Sequence, residues 1–262
     1  EVCLGRGEQS LAVVLARAGY KVFLVDPWSA QAVSAEGFDA LVSEVYPALV
    51  EELRLRAEGA QVTFVGHGLC GFVPIAAASS SAPSNISMDW VALGTRLQWV
   101  RPSPLLERWL EAWLAQERPV AEKVKALFFT GLRESLGPRP SSIPESWDPS
   151  DDSIVDQMER RHRERYARIP SIGVLEDMRR WYRDGRATAR RGWLNYESSV
   201  TQVSGRGLIL LGMSDPIAPP ERSLLGTEAF SSAHSVQTQV LSRSEGYSED
   251  YGHLGLLLSR FA

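Results

Sequence analysis

Val62-Thr-Phe-Val-Gly-His-Gly-Leu-Cys-Gly71 decides how this chain is read. An apolar, β-prone run ends in a tight glycine-rich turn, and a small-residue helix is predicted to follow over Phe72 to Ala78. This is the strand–turn–helix layout of a nucleophile elbow, which holds one side chain at the apex of a sharp turn. The pattern asks for Gly, any residue, the nucleophile, any residue, Gly. Gly66 and His67 fill the first two places, and the apex falls on Gly68, which has no side chain. Cys70 stands where the second framing glycine is expected. The scaffold of an acyl-transfer site is legible, but the group that would attack is missing.

Outward from this turn, the first 95 residues alternate between strand-like and helix-like stretches. Glu1 to Leu4 reads as the end of a strand and Gly5-Arg6-Gly7 as a turn. Ser10 can cap a helix through about Ala18, which Gly19 ends. Lys21 to Val25 is predicted as a buried strand. Phe38 to Ala57 has helical spacing, with Leu41, Val45, Leu49 and Leu53 on one face and Pro47 positioned to kink or split it. Gln61 to Val65 and Ser87 to Leu93 are the next strands. The alternation argues for a parallel sheet covered on both faces.

Residues 96–200 differ: they hold six of the eight tryptophans, Trp99, Trp109, Trp113, Trp147, Trp181 and Trp193. Leu105 to Ala115, Ala121 to Glu134 and Ile154 to Arg168 read as helices, and Gly137 to Ser150 as a Pro- and Ser-rich linker. The block is expected to be a helical cap (96–200) inserted into a core made of 1–95 and 201–262. The sheet pattern then resumes, with strands over Gly207 to Leu211 and Val236 to Leu241 and helices over Glu221 to Phe230 and Leu254 to Phe261.

The chain has 262 residues, enough for one α/β domain with an insertion, and its 44% apolar and 23% charged content is that of a globular protein. A net charge of −4 predicts no general attraction to nucleic acid or anionic membranes. Two cysteines, Cys3 and Cys70, make no disulfide framework, and a reducing compartment such as the cytoplasm is expected. No signal peptide is legible, and no apolar run approaches the roughly 20 residues of a membrane span. The chain opens at Glu1 without Met, so a processed, trimmed or partial sequence is expected. No paired His or Cys spacing suggests a metal, and Gly5-x-Gly7 lacks the third glycine of a dinucleotide fingerprint, so no cofactor is expected.

Two further segments join the elbow. Gly207-Leu-Ile-Leu-Leu-Gly-Met-Ser-Asp-Pro-Ile-Ala-Pro-Pro-Glu221 reads as a strand followed by an acid-bearing turn, and Tyr251-Gly-His-Leu254 as a histidine-bearing loop. With the insertion, this order resembles the α/β-hydrolase superfamily. The closest flavour is the polyhydroxyalkanoate synthase and lipase-like branch, on Gly7 to Leu11, Gly19 to Asp26 and the Gly66 to Gly71 elbow, with the cysteine two positions late. The resemblance implies a three-layer α/β fold, a mostly parallel sheet with helices on both faces, and a helical cap. It also implies that the first two strands common in this fold are missing.

On the resemblance, Asp215 falls at the acid position and His253 at the histidine position. His253 would be the general base, with an unperturbed pKa of about 6.5 near working pH. Asp215 would fix its tautomer and stabilise the imidazolium; Glu249 and Asp250 are weaker alternatives. The oxyanion donors would be backbone N–H groups, that of Leu69 and one around Arg6 or Gly7, beside His67 in the elbow. Cys70 is read chiefly as a small packed residue, with a displaced nucleophile as the rival reading. Without a hydroxyl or thiol at Gly68 no acyl-enzyme forms there. Three readings stay open: a substitution introduced at the apex, a natural non-catalytic relative, or direct activation of water or a substrate group by His253.

The expected function is therefore an ester or thioester hydrolase or acyltransferase type, inactivated or free of a protein nucleophile, acting on a small molecule with an apolar acyl part. The alternative is a pseudo-hydrolase that serves as a binding or scaffold subunit, with a protein partner or homodimer docking through the tryptophan-rich cap. The arginines of Glu159 to Arg165 and of 179–191 are interleaved with acids, which predicts an ion-paired helical surface and not a nucleic-acid site.

Overall fold

The structure is a computed structural model that describes residues 11–25, 36–78, 89–100, 107, 110, 111, 114, 171–192, 194–198, 203, 205–215, 217–225, 227, 236–248, 250–253 and 256. Four strands, β1 (Thr63–His67), β2 (Asp89–Leu93), β3 (Gly207–Gly212) and β4 (Val236–Leu241), pair in that order, and every pair is parallel. The register sets His67 beside Leu93, Leu93 beside Leu210, and Gly212 beside Leu241. The carboxyl ends of all four strands therefore lie along one edge, where ligands bind in open α/β sheets.

Helix α1 (Leu11–Arg17) ends at Gly19, whose φ of +91° provides the left-handed exit its sequence suggested. Helix α2 runs through Phe38–Ala40, a π turn at Leu41–Val45 and Tyr46–Arg56. The wide turn lies just ahead of Pro47, which has no N–H to give to the carbonyl four residues back. This turn moves the buried face: Phe38 is buried before it, Leu41 and Val42 within it, and Tyr46, Val50 and Leu53 after it. The expected face through Val45 and Leu49 is thus displaced by one residue. Helix α3 (Leu69–Ala77) packs on β1, β2 and α2, and starts three residues earlier than predicted.

Two predicted elements change. Lys21 to Val25 has no regular secondary structure and pairs with no strand among the described residues, and it is not buried, since Leu24 is 65% exposed. The helix expected over Glu221 to Phe230 is a single turn, α5 (Pro220–Ser223), with residues 228–230 outside the described set. Glu1 to Leu4, the helices over 121–134 and 154–168, and the linker at 137–150 also lie outside it, whereas the described positions 107, 110, 111 and 114 are helical.

One helix was not anticipated: α4 (Ile172–Asp184). Ser171 caps it by accepting from the Val174 N–H, and Gly185 closes it at φ +68°. Its buried stripe is Val174, Leu175, Met178, Trp181 and Tyr182. Trp181 meets Phe38 edge-on with centroids 4.9 Å apart and Trp99 at 5.0 Å, and Tyr196 meets Phe38 at 5.4 Å. These rings share one buried cluster with Phe72 of α3 and Trp90 of β2. Trp99 and Trp181 are therefore packed inside the chain and are not available as a docking surface.

Arg180, Arg183 and Arg190 are ion-paired, in line with the alternating charges, while Glu159 to Arg165 lie outside the described residues. Buried Asp177 accepts from Arg190 Nε at 2.9 Å, Arg180 at 3.3 Å and the Phe38 N–H at 2.9 Å, so it fastens α4 to the start of α2. Asp39 adds bonds from the Arg190 N–H at 2.9 Å and the Tyr196 hydroxyl at 2.7 Å. A Cβ on Gly37 would lie 2.2 Å from Asp177 Oδ2, so only glycine lets these elements approach.

Candidate active site

Each candidate position follows the carboxyl end of a strand. Gly68 follows β1, Gly94 follows β2, Asp215 follows β3 by a two-residue turn, and His253 lies in the loops after β4. Asp215 and His253, which are 38 residues apart, meet at 2.7 Å between Oδ2 and Nδ1, and both are buried. The other carboxylate oxygen accepts the backbone N–H groups of Ile217 and Ala218, each at 2.8 Å. Burial works against the Asp215 charge, but attraction to His253, the hydrogen bond to its ring and these two N–H groups outweigh it and hold the carboxyl below its ordinary value. Asp250, a weaker alternative, instead accepts from the Arg243 N–H.

The two loops are tied to each other. The Ser214 N–H donates to the Tyr251 carbonyl at 3.0 Å. Gly212 lies so close beneath that carbonyl that a Cβ would come within 2.1 Å of its oxygen. The acid turn and the histidine loop are therefore held against each other.

The elbow backbone is equally constrained. The Gly68 N–H donates to the Leu93 carbonyl at 2.9 Å, while the Gly68 carbonyl accepts from the Thr95 hydroxyl at 3.0 Å and the Gly71 N–H at 3.2 Å. Gly68 takes φ +57° and ψ −126°, a conformation few side-chain-bearing residues adopt. The tight packing that requires glycine involves Gly66 and Gly71. A Cβ on Gly66 would lie 2.6 Å from the Cys70 carbonyl, and one on Gly71 would lie 2.0 Å from Thr95 Oγ1. The second framing glycine is thus Gly71, one place later than the pattern suggested, which lets Cys70 occupy the preceding position.

A Cβ on Gly68 would lie 3.5 Å from His253 Nε2 and 3.7 Å from Cε1, ordinary contact distances, and among the described residues no other beyond its chain neighbours comes within 4 Å. The apex direction therefore points at the ring nitrogen opposite the Asp215 bond. On the far side of the ring, Gly94 at φ +53° gives the dyad its floor: a Cβ there would be 3.0 Å from Nδ1 and 3.1 Å from Asp215 Oδ2. Sequence reasoning passed over Gly94 and Thr95, because their partners come from loops distant in the chain.

His67 joins the same group. Its Nε2 lies 3.0 Å from the His253 carbonyl, so it donates there and carries the proton on that nitrogen. The two imidazoles lie 4.3 Å apart at 49°. Burial and the neighbouring His253 push the His67 pKa down to about 3, so it is neutral at physiological pH. Cys70, which forms no disulfide, is half-buried in the first turn of α3, as is Leu69. Arg6, Gly7 and Glu249 lie outside the described residues. Among the described residues no cluster of three metal-ligating side chains forms, and no helix is long and apolar enough to cross a membrane.

The sequence matches no protein-family model and no curated protein. Its structure is similar to that of an esterase from Exiguobacterium antarcticum (TM-score 0.52, 13% identity, 84% of this chain and 68% of that one). It is also similar to a candidate aryl esterase from Burkholderia cenocepacia (TM-score 0.51, 14% identity, 85% and 68%). A third is a candidate non-heme bromoperoxidase, BpoC, from Mycobacterium tuberculosis (TM-score 0.50, 17% identity, 85% and 69%). At these identities the likeness speaks for architecture alone. Together with the parallel sheet and the strand-end positions of Gly68, Asp215 and His253, it establishes that this chain has the α/β-hydrolase fold.

Proposed function

We propose that the protein hydrolyses small esters or thioesters with an apolar acyl part by direct general-base catalysis, without a covalent acyl-enzyme. The observation that carries this reading is the Asp215–His253 pair at 2.7 Å, with the opposite nitrogen of the ring facing an apex that has no side chain. Asp215 holds the ring so that Nε2 is the basic atom. His253 Nε2 takes a proton from a water at the apex, and the resulting oxygen attacks the acyl carbonyl. Backbone N–H groups at the start of α3, with Leu69 the first, receive the developing oxyanion. The tetrahedral intermediate then collapses, and the leaving alcohol or thiol recovers the proton from the imidazolium.

The acyl class comes from the resemblance to the synthase and lipase-like branch and from the esterases among the structural neighbours. A second reading is favoured by the same glycine: a pseudo-hydrolase that keeps the dyad and pocket as a binding or scaffold subunit. A chain-length series of nitrophenyl esters separates the two. Turnover that disappears in His253→Ala and persists in Cys70→Ala is the result expected. Absence of turnover above buffer in the unmodified protein, with none gained in Gly68→Ser, would identify the pseudo-hydrolase, whereas activity appearing in Gly68→Ser would identify an inactivated hydrolase.

A further inference from the structure

Four glycines crowd the site, and they are present for different reasons. Gly66, Gly71 and Gly94 are required by packing: a Cβ at each would come within 3.0 Å of a neighbour. Gly68 is not. Among the described residues its Cβ direction meets only His253, at ordinary contact distance. The backbone around it is pinned by Leu93, Thr95 and Gly71, so the turn cannot relax inward to occupy that space. The His253 ring cannot swing into it either, because Nδ1 is held by Asp215 and the residue's own carbonyl is held by His67.

From this we infer that the space above Gly68 is an acceptor subsite for the terminal carbon and heteroatom of a primary alcohol or thiol. The protein would thereby transfer acyl groups directly from donor to acceptor. The inference rests on the direct general-base reading above. A serine differs from glycine by one CH₂OH unit, and a cysteine by one CH₂SH unit. A primary alcohol or thiol brings that unit from outside. Its carbon takes the Cβ position, 3.5 Å from Nε2, and its heteroatom lies one bond further on, within reach of the same nitrogen. Water fills only part of this space, so an acceptor with a carbon in contact is held better for attack.

The chemistry balances without further reagents. Nε2 accepts the acceptor's proton as its oxygen or sulfur bonds to the acyl carbon. The bond from that carbon to the donor's leaving oxygen or sulfur then breaks, and the leaving group takes the proton back from His253. The products are a new ester or thioester and the free alcohol or thiol of the donor. No acyl-enzyme lies on this path, so donor and acceptor must be bound together.

The test uses the intact chain, para-nitrophenyl butyrate as donor and methanol as the probe, with tert-butanol as a control that is too branched for the subsite. Nitrophenol release and methyl butyrate formation are followed against methanol concentration. The expected result is methyl butyrate formation that saturates and depends on His253, with nitrophenol release roughly tenfold above the water rate at saturation and no response to tert-butanol. In Gly68→Ser, whose side chain fills the space, the first nitrophenol burst becomes independent of methanol. Methyl ester yield that is strictly proportional to methanol, or a methanol response retained in the Gly68→Ser burst, would overturn the subsite while leaving His253-dependent hydrolysis standing. Saturable methanolysis with no turnover by water would support the subsite and remove the hydrolase reading. Absence of His253-dependent turnover with either nucleophile would remove both.

Discussion

The acid–histidine loops and the elbow turn lie at the same edge of the sheet and are built in opposite ways. In the loops, side chains perform the positioning: Asp215 holds His253, and two N–H groups hold Asp215. In the turn, the backbone is held as tightly, by Leu93, Thr95 and Gly71, but it presents no side chain. A conformation that is costly for most residues is maintained at Gly68 without the group such turns carry. The difference teaches that the two parts of the candidate site are separable: the Asp215–His253 pair is held by side-chain and N–H bonds, and the turn at Gly68 is held through its backbone alone.

The sharpest way to break this comparison is to remove the Asp215–His253 pair. His253→Ala should lower kcat/KM for the nitrophenyl esters by roughly a thousandfold, and Asp215→Asn by a smaller but still large factor. An Asp215→Asn variant with full activity would show that the acid is only a turn residue.

The next effect separates glycines needed for packing from the one that is not. Gly66→Ala should cost about 3 kcal/mol of unfolding free energy, since its Cβ meets backbone atoms that cannot step aside. Gly68→Ala should cost only about 1 kcal/mol, for its positive φ alone. Urea midpoints of the two variants measure this, and equal losses would mean that the apex is as crowded as its flanks.

Acid stability sharpens the comparison further. The folded pKa of His67, about 3, lies below its ordinary 6.5, so its contribution is present above pH 6.5 and lost as pH falls toward 3. Asp215, also depressed, adds a loss of the same sign below its ordinary 3.8. Thermal midpoints should therefore fall on acidification. His67→Gln, which keeps a donor but does not titrate, should flatten the fall between pH 6 and 4. An unchanged slope would show that His67 is accessible enough to be protonated freely. The smallest effect is expected for Cys70→Ala, within about twofold of the parent's turnover, because Gly71 and not Cys70 frames the elbow. A large loss would return the thiol to the site.

Much of this site was legible in the sequence because strand-end positions in a parallel sheet are fixed by local signals. Val62 to Gly71 marked the elbow, and Asp215 and His253 each followed a readable strand. What escaped depended on partners distant in the chain. Gly94 looked like any glycine after a strand, and its closeness to the dyad needs two other loops. Helix α4 had a serine cap, a terminal glycine and an apolar stripe, yet its arginines drew the reading toward a solvated surface. Lys21 to Val25 had strand composition, but composition alone does not fix pairing, and among the described residues this stretch pairs with no strand. The π turn in α2 moved a buried face by one residue, a shift that a fixed helical period cannot register.

Glu197 has a consequence for how this protein could be re-engineered. Its carboxylate accepts the N–H groups of both Trp99 and Ala187 at 2.9 Å, and Arg96 reaches the Tyr182 hydroxyl at 2.9 Å. The chain thus leaves for residue 101 and returns at residue 171 from one cross-braced aromatic cluster. Fixed departure and return points are what a modular insert requires. Doubling or halving the length between them costs only about 0.6 kcal/mol in closure entropy. A change of length between residues 114 and 171 should therefore leave the Asp215–His253 pair unaltered, whereas Leu110, buried in the shared core, has to be kept.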